Sequence, residues 1–148
     1  MQTKKILAKT AIVLSLCAFC GSVFAAPAAK TLTKNEELYP QGWSVGDQIK
    51  FKKGTTASLN DNGAVVSGVL ASDTYLRPVG WQNNAIDMEN AGFVEFKAKS
   101  TVSLTPAGEV TSCTTKEALK WKNNGLEIEL PANTVINFSE QGAVAVTE

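Results

Sequence analysis

The sequence contains no histidine among its 148 residues. A Ser-His-Asp or Cys-His nucleophile therefore cannot be assembled, and neither can a His-ligated metal site. Cysteine is almost as scarce. Of the three cysteines, Cys17 and Cys20 lie in the N-terminal segment described next, which leaves Cys113 alone in the remainder. A disulfide within that remainder is excluded, and so is a structural zinc site, which needs several Cys or His ligands. Basic charge is not in excess. Lys4, Lys5 and Lys9 precede position 26 and no acidic residue does, so residues 26–148 carry 11 basic against 14 acidic side chains, a net charge of −3. Arg77 is the only arginine. A nucleic-acid binder would show a basic excess, and a binder of anionic membranes a polybasic cluster. Neither is expected as a partner, and no cofactor is implied.

What is present at the start of the chain is an export signal. The three lysines are followed by the mostly apolar run from Ala11 to Phe19, and then by Ser22-Val23-Phe24-Ala25. Basic, apolar, then small residues at the cleavage point is the three-part pattern of a signal peptide. It predicts a signal over residues 1–25 and a mature chain from Ala26. The apolar run is too short for a bilayer span, which takes about 20 apolar residues. Leu16 and Phe19 precede the two cysteines, where a lipoprotein signal places a small residue. The expected location is extracytoplasmic, in the periplasm, at the cell surface or secreted. Residues 26–148 are one domain's worth of chain.

That domain shows an internal repeat. Ile49–Ser67 aligns without gaps on Val94–Ser112, with Phe51 on Phe96, Lys52 on Lys97, Ser58 on Ser103, Leu59 on Leu104, Gly63 on Gly108 and Ser67 on Ser112. A third copy, Ile128–Val146, aligns Ile136, Phe138, Gly142 and Val144 on Val102, Leu104, Gly108 and Val110. In the first copy the apolar positions Ile49, Phe51, Ala57, Leu59 and Val65 share one parity, and Lys50, Lys52, Thr56 and Ser58 fall between them. Strict alternation marks strands with one face buried and one face wet. Val135 breaks the alternation in the third copy. Glycine at a fixed place in each longer turn, Gly63, Gly108 and Gly142, marks a backbone position with positive φ.

The expected fold is all-β. Three repeated three-stranded meander units (about 43–78, 81–119 and 121–148) share a core as one curved sheet, a barrel or a stacked array, because a lone small meander is only marginally stable. One or two short helices are expected as well. Thr33 and Glu36 form a capping box for Lys34–Leu38, and Thr114 and Glu117 one for Thr115–Lys120.

The stretch Leu59-Asn-Asp-Asn-Gly-Ala-Val-Val-Ser-Gly-Val-Leu70 resembles the turn-and-strand unit of secreted bacterial β-hairpin repeat proteins, and Leu76-Arg-Pro-Val-Gly-Trp81 is similar to a segment of small exported repeat proteins. The resemblance implies an architecture and carries no active-site residue.

Candidate binding residues follow from the aromatics. Trp43, Trp81 and Trp121 fall one to a unit, and the last two run on as Trp81-Gln82-Asn83-Asn84 and Trp121-Lys122-Asn123-Asn124. An exposed indole stacks on a sugar ring, and neighbouring amides bond its hydroxyls. Indoles recurring once per unit also suit core closure. Asn60-Asp61-Asn62-Gly63 lacks the further carboxylates of a calcium loop and reads as a turn. Glu127 and Glu129 share the wet face of a strand, and Asp87, Glu89 and Asn90 form an acidic loop. Cys113 reads as a quiet small residue. No catalytic constellation is visible. The expected function is a non-enzymatic, exported interaction or envelope-structure domain with a protein or glycan partner. The alternative is a carbohydrate-binding module that uses Trp43, Trp81 and Trp121 with Asn83, Asn84, Asn123 and Asn124.

Overall fold

Alternating apolar and polar residues make strands because successive side chains point to opposite faces. The computed structural model describes residues 28–42, 49–86 and 90–147. Within them the chain forms β1 (Ala28–Thr31), β2 (Glu36–Leu38), β3 (Ile49–Phe51), β4 (Thr56–Leu59), β5 (Val65–Val69) and β6 (Thr74–Leu76). One helical turn, α1 (Trp81–Asn84), follows. Then come β7 (Val94–Phe96), β8 (Thr101–Leu104), β9 (Val110–Thr114), β10 (Leu119–Asn123), β11 (Leu126–Leu130), β12 (Val135–Phe138) and β13 (Val144–Thr147). The predicted signal peptide lies outside the described residues. No helix among the described residues is long and apolar enough to cross a membrane.

Seven strands form one antiparallel sheet in the order β1-β4-β5-β8-β9-β12-β13. The sheet is open rather than a closed barrel. The remaining strands pair into three two-stranded ribbons, β2 with β3, β6 with β7 and β10 with β11. This corrects the expected meanders. The strands beginning at Ile49, Val94 and Leu126 do not run on into the sheet as a third ladder strand. Each is paired instead with the strand before it.

The sheet and the ribbons close on a single apolar core. Ala57, Val102 and Ile136, one each from β4, β8 and β12, are fully buried. Phe51, Phe96 and Trp121 reach the same core from the three ribbons. Gly68 on β5 has a packing reason: a Cβ there would stand 2.6 Å from Phe51 Cδ1. On the sheet's other face Ser58, Ser67, Ser103, Ser112 and Asn137 stand side by side in register.

The three hairpins of the sheet turn in the same way. Gly63, Gly108 and Gly142 have φ of 79°, 89° and 84°. Their N–H groups donate to the carbonyls of Asn60, Thr105 and Ser139. Only glycine adopts this backbone freely.

Neither predicted helix forms. Glu36–Leu38 is strand β2, and the Glu36 carboxylate takes the Lys30 ammonium instead of closing a capping box. At the second place Thr115 is wholly buried, its N–H bonded to Thr134 O and its Oγ1–H to Pro131 O, and β10 begins at Leu119. A five- or six-residue helix has little stability of its own, so ladder pairing decided both segments.

Candidate functional site

The tryptophans separate into different roles. Trp121 is 0% exposed. Its indole N–H donates to Gly142 O at 2.7 Å, and its ring meets Phe138 edge to face at a centroid distance of 5.3 Å. Neither face is open to a ligand. Trp81 opens α1 and is half-buried. The Arg77 guanidinium lies 4.1 Å from the Trp81 ring centroid and 4.3 Å from that of Phe93. Arg77 Nε–H donates to Ala91 O, which fixes the guanidinium between the two rings, in a cation–π arrangement. The Gly92 backbone also packs on Trp81, where a Cβ would fall 2.2 Å from Cε3. Trp43 lies outside the described residues.

Most of the paired amides are engaged. Asn84 donates from Nδ2 to Gly80 O and Gln141 O, tying α1 to the turn between β12 and β13. Asn123 Oδ1 accepts the Val144 N–H. Asn124, with φ 52°, and Gly125, with φ 84°, form the two-residue turn of the β10–β11 hairpin, as positive φ at both positions requires. Asn83 is exposed. The structure thus draws Trp121 and Asn123 against the last hairpin from the β10–β11 side, and Asn84 against it from the helical turn. It does not assemble the Trp and Asn residues into one open surface.

No known protein family, curated protein or solved structure matches the chain. The reading of a site therefore rests on geometry.

An open cleft of about 350 Å³ lies between the β6–β7 ribbon and the β10–β11 ribbon. Tyr75 and Phe93 stand at it with 56% and 37% of their surface exposed. Glu95, Glu117, Lys120 and Glu129 also line it. Tyr75 and Glu95 are directly opposed on β6 and β7, and Lys120 and Glu129 on β10 and β11. Three carboxylates against one ammonium make the lining acidic. Aromatic faces in water beside hydrogen-bond acceptors suit hydroxyl-bearing or cationic groups. Thr74–Leu76 is too short to show a period in the sequence; in the folded chain Leu76 faces the core, so Tyr75 faces out. Glu129, read as a solvated residue, is one wall of this cleft.

Cys113 is fully buried, with Sγ 3.4 Å from Ser100 Oγ. Burial pushes its thiol pKa up, against the smaller opposing effects of Ser100 and the Thr114 backbone. A raised pKa disfavours the thiolate, which is the reactive form.

Proposed function

We propose that the chain is an exported, non-enzymatic β-repeat domain for interaction or envelope structure, and that its partner rests in the cleft framed by Tyr75 and Phe93. One observation carries this reading. The solvent-facing ring of Tyr75 and the partly exposed ring of Phe93, which carries the Arg77 guanidinium, stand beside three carboxylates in a concave surface. Concave sites with a few placed polar groups are the usual form of ligand sites. The repeat reading is supported by the shared turn geometry at Gly63, Gly108 and Gly142 and by the alternation of ribbon and hairpin along the chain.

A carbohydrate-binding role is the second reading, and it moves from the tryptophans to this cleft. Tyr75 supplies an exposed ring, with Glu95 opposite it to accept sugar hydroxyls. The test has two arms. A photo-crosslinking side chain at Tyr75 of the exported protein should capture a defined envelope protein, with Glu127 as the control position. A titration of cell-wall oligosaccharides, followed by NMR, should shift the Tyr75 and Phe93 resonances if the ligand is a glycan. Phe93→Ala should abolish the capture from position 75, and Tyr75→Ala with Phe93→Ala should abolish any sugar-induced shift of the Glu95 and Leu119 backbone amides, which also line the cleft. If neither arm responds, the cleft is not the contact site.

A further inference from the structure

The outer edge of β4 is covered in an unusual way. At β8 and β12 the covering strands, β5 and β9, each arrive as the second strand of a hairpin. At β4 the covering strand is β1, which belongs to no hairpin among the described residues. The hydrogen bonds are nonetheless the same at all three places. Leu32 N–H donates to Thr55 O, Leu70 N–H to Ser100 O and Thr115 N–H to Thr134 O. In return Gly54, Lys99 and Asn133 N–H donate to the carbonyls of Leu32, Leu70 and Thr115. β1 thus sits on β4 as a hairpin strand would, but without the hairpin.

The two edges of the sheet are treated differently. On the core side of the sheet Lys30, Gly68, Cys113 and Val146 occupy corresponding positions on β1, β5, β9 and β13. The register sets Lys30 against Ala57, Gly68 against Val102, and both Cys113 and Val146 against Ile136. On β1 that position is a charged lysine paired with Glu36. An inward-pointing charge on an edge strand discourages further strand addition. On β13 the position is Val146, 44% exposed, with no strand on its outer side among the described residues. Leu126 is 70% exposed, and its pairing partner Asn123 accepts the Val144 N–H at the start of β13. One edge is guarded, and the other is apolar and bare.

We propose that β1 is an exchangeable plug, and that β13 of a second copy takes its place on β4 to build a head-to-tail array. β1, β5, β9 and β13 all run in the same direction through the antiparallel sheet, so β13 meets β4 with the polarity that β5 has on β8. The register of β5 on β8 then sets Ala145 opposite Ser58, Val146 opposite Ala57 and Thr147 opposite Thr56. Val146 leaves water for a position that is buried where Cys113 holds it. Leu32, 1% exposed, is seated with β1 and leaves the core when β1 is released. Residues 33–35 tether both beside their own β4, and a short tether gives an effective concentration of order mM. The isolated chain therefore remains closed at low concentration. An interface between two different edges does not cap itself and extends to a ring or a filament.

Disulfide trapping in the otherwise native chain carrying Cys17→Ala, Cys20→Ala and Cys113→Ala tests this. Thr56→Cys with Thr147→Cys should give a ladder of linked multimers under mild oxidation. Thr31→Cys with Thr56→Cys, which locks β1 in place, should give monomer alone. Adding Val146→Lys to the first pair should suppress its ladder. A complementary variant, Ala29→Pro with Lys30→Pro, removes a ladder N–H from β1 whichever residue supplies it. It should convert monomer into concentration-dependent multimers in sedimentation, reversed by an excess of a peptide spanning residues 26–32. If the proline variant does not fold, the trapping result on the native chain decides. No species beyond dimer from Thr56→Cys/Thr147→Cys, or a ladder indifferent to Val146→Lys, overturns the proposal. Linked dimers from Thr147→Cys alone, with no ladder from the pair, would mean that β13 pairs with itself, which also overturns it.

Discussion

Trp121 and Gly142 hold each other in place: the indole N–H donates to the Gly142 carbonyl at 2.7 Å inside the core, and Gly142 itself has a φ of 84°. A Cβ at Gly142 would fall 2.4 Å from Asn84 Nδ2, whose two hydrogen bonds anchor α1. Trp121→Phe keeps a six-membered aromatic ring but loses the N–H and the five-membered ring, leaving the buried Gly142 carbonyl unpaired at a cost of about 1–3 kcal/mol with a cavity cost added. Gly142→Ala adds backbone strain and a clash, and should destabilise by at least as much. Urea unfolding followed by circular dichroism reads both. Equal midpoints for Trp121→Phe and the parent chain would show that the bond contributes nothing.

The three positions Leu59, Leu104 and Phe138 align in the sequence but are not equally buried. Leu104 and Phe138 belong to the core, whereas Leu59 is only packed against it. Leu104→Ala and Phe138→Ala should each cost about 2–5 kcal/mol. Leu59→Ala should cost clearly less. Thermal melts of the three variants give the order, and a Leu59→Ala loss matching the other two would contradict this ranking.

In a chain carrying Cys17→Ala and Cys20→Ala, Cys113 should resist aromatic disulfide reagents in the folded protein and react once denaturant is added. Burial both hides Sγ and disfavours its thiolate. Prompt reaction of the native protein at neutral pH would mean that β9 opens readily.

The Asp73–Lys116 ion pair sets a small pH dependence. Asp73 is held below its ordinary pKa of 3.8, first by the Lys116 hydrogen bond and then by the Ala98 N–H. Its contribution is present above that ordinary value and is lost as the pH falls through the lower, folded one. Lys116 is raised above 10.5, chiefly by the same bond. Its share is present below 10.5 and fades as the pH rises through the folded value. Both groups are exposed, so the effect is modest. Asp73→Asn should flatten the acid end of the stability profile measured by chemical denaturation from pH 2 to 7. An unchanged acid limb would assign it to other carboxylates.

Much of the strand content was legible. The alternation in 49–52, 56–59, 94–97 and 101–104 placed β3, β4, β7 and β8, and the turn glycines placed the hairpins. Other elements were hidden. Asn124-Gly125 is a strong hairpin signal, yet Asn124 also ends the Trp121-Lys122-Asn123-Asn124 stretch that reads as a binding candidate, and the capping box over Thr115–Lys120 masks the start of β10. Three-residue strands such as Glu36–Leu38 and Thr74–Leu76 are too short to show a period.

The amino-acid order alone determined which faces are wet and which are dry, because a two-residue period is a local property of the backbone. It also marked the turns at Gly63, Gly108 and Gly142, because only glycine takes positive φ without cost, whereas Lys99 and Asn133 take positive φ with no glycine to announce it. Partner choice was decided by the tertiary structure. Alternation tells a strand which side to bury and says nothing about its neighbour, so only the folded molecule pairs Ile49–Phe51 with β2 and lays β1 along β4. The same holds for the site. Trp121 and Tyr75 are both aromatic residues on strands, and only packing made the first a core residue hydrogen-bonded to Gly142 and left the second in water beside Glu95.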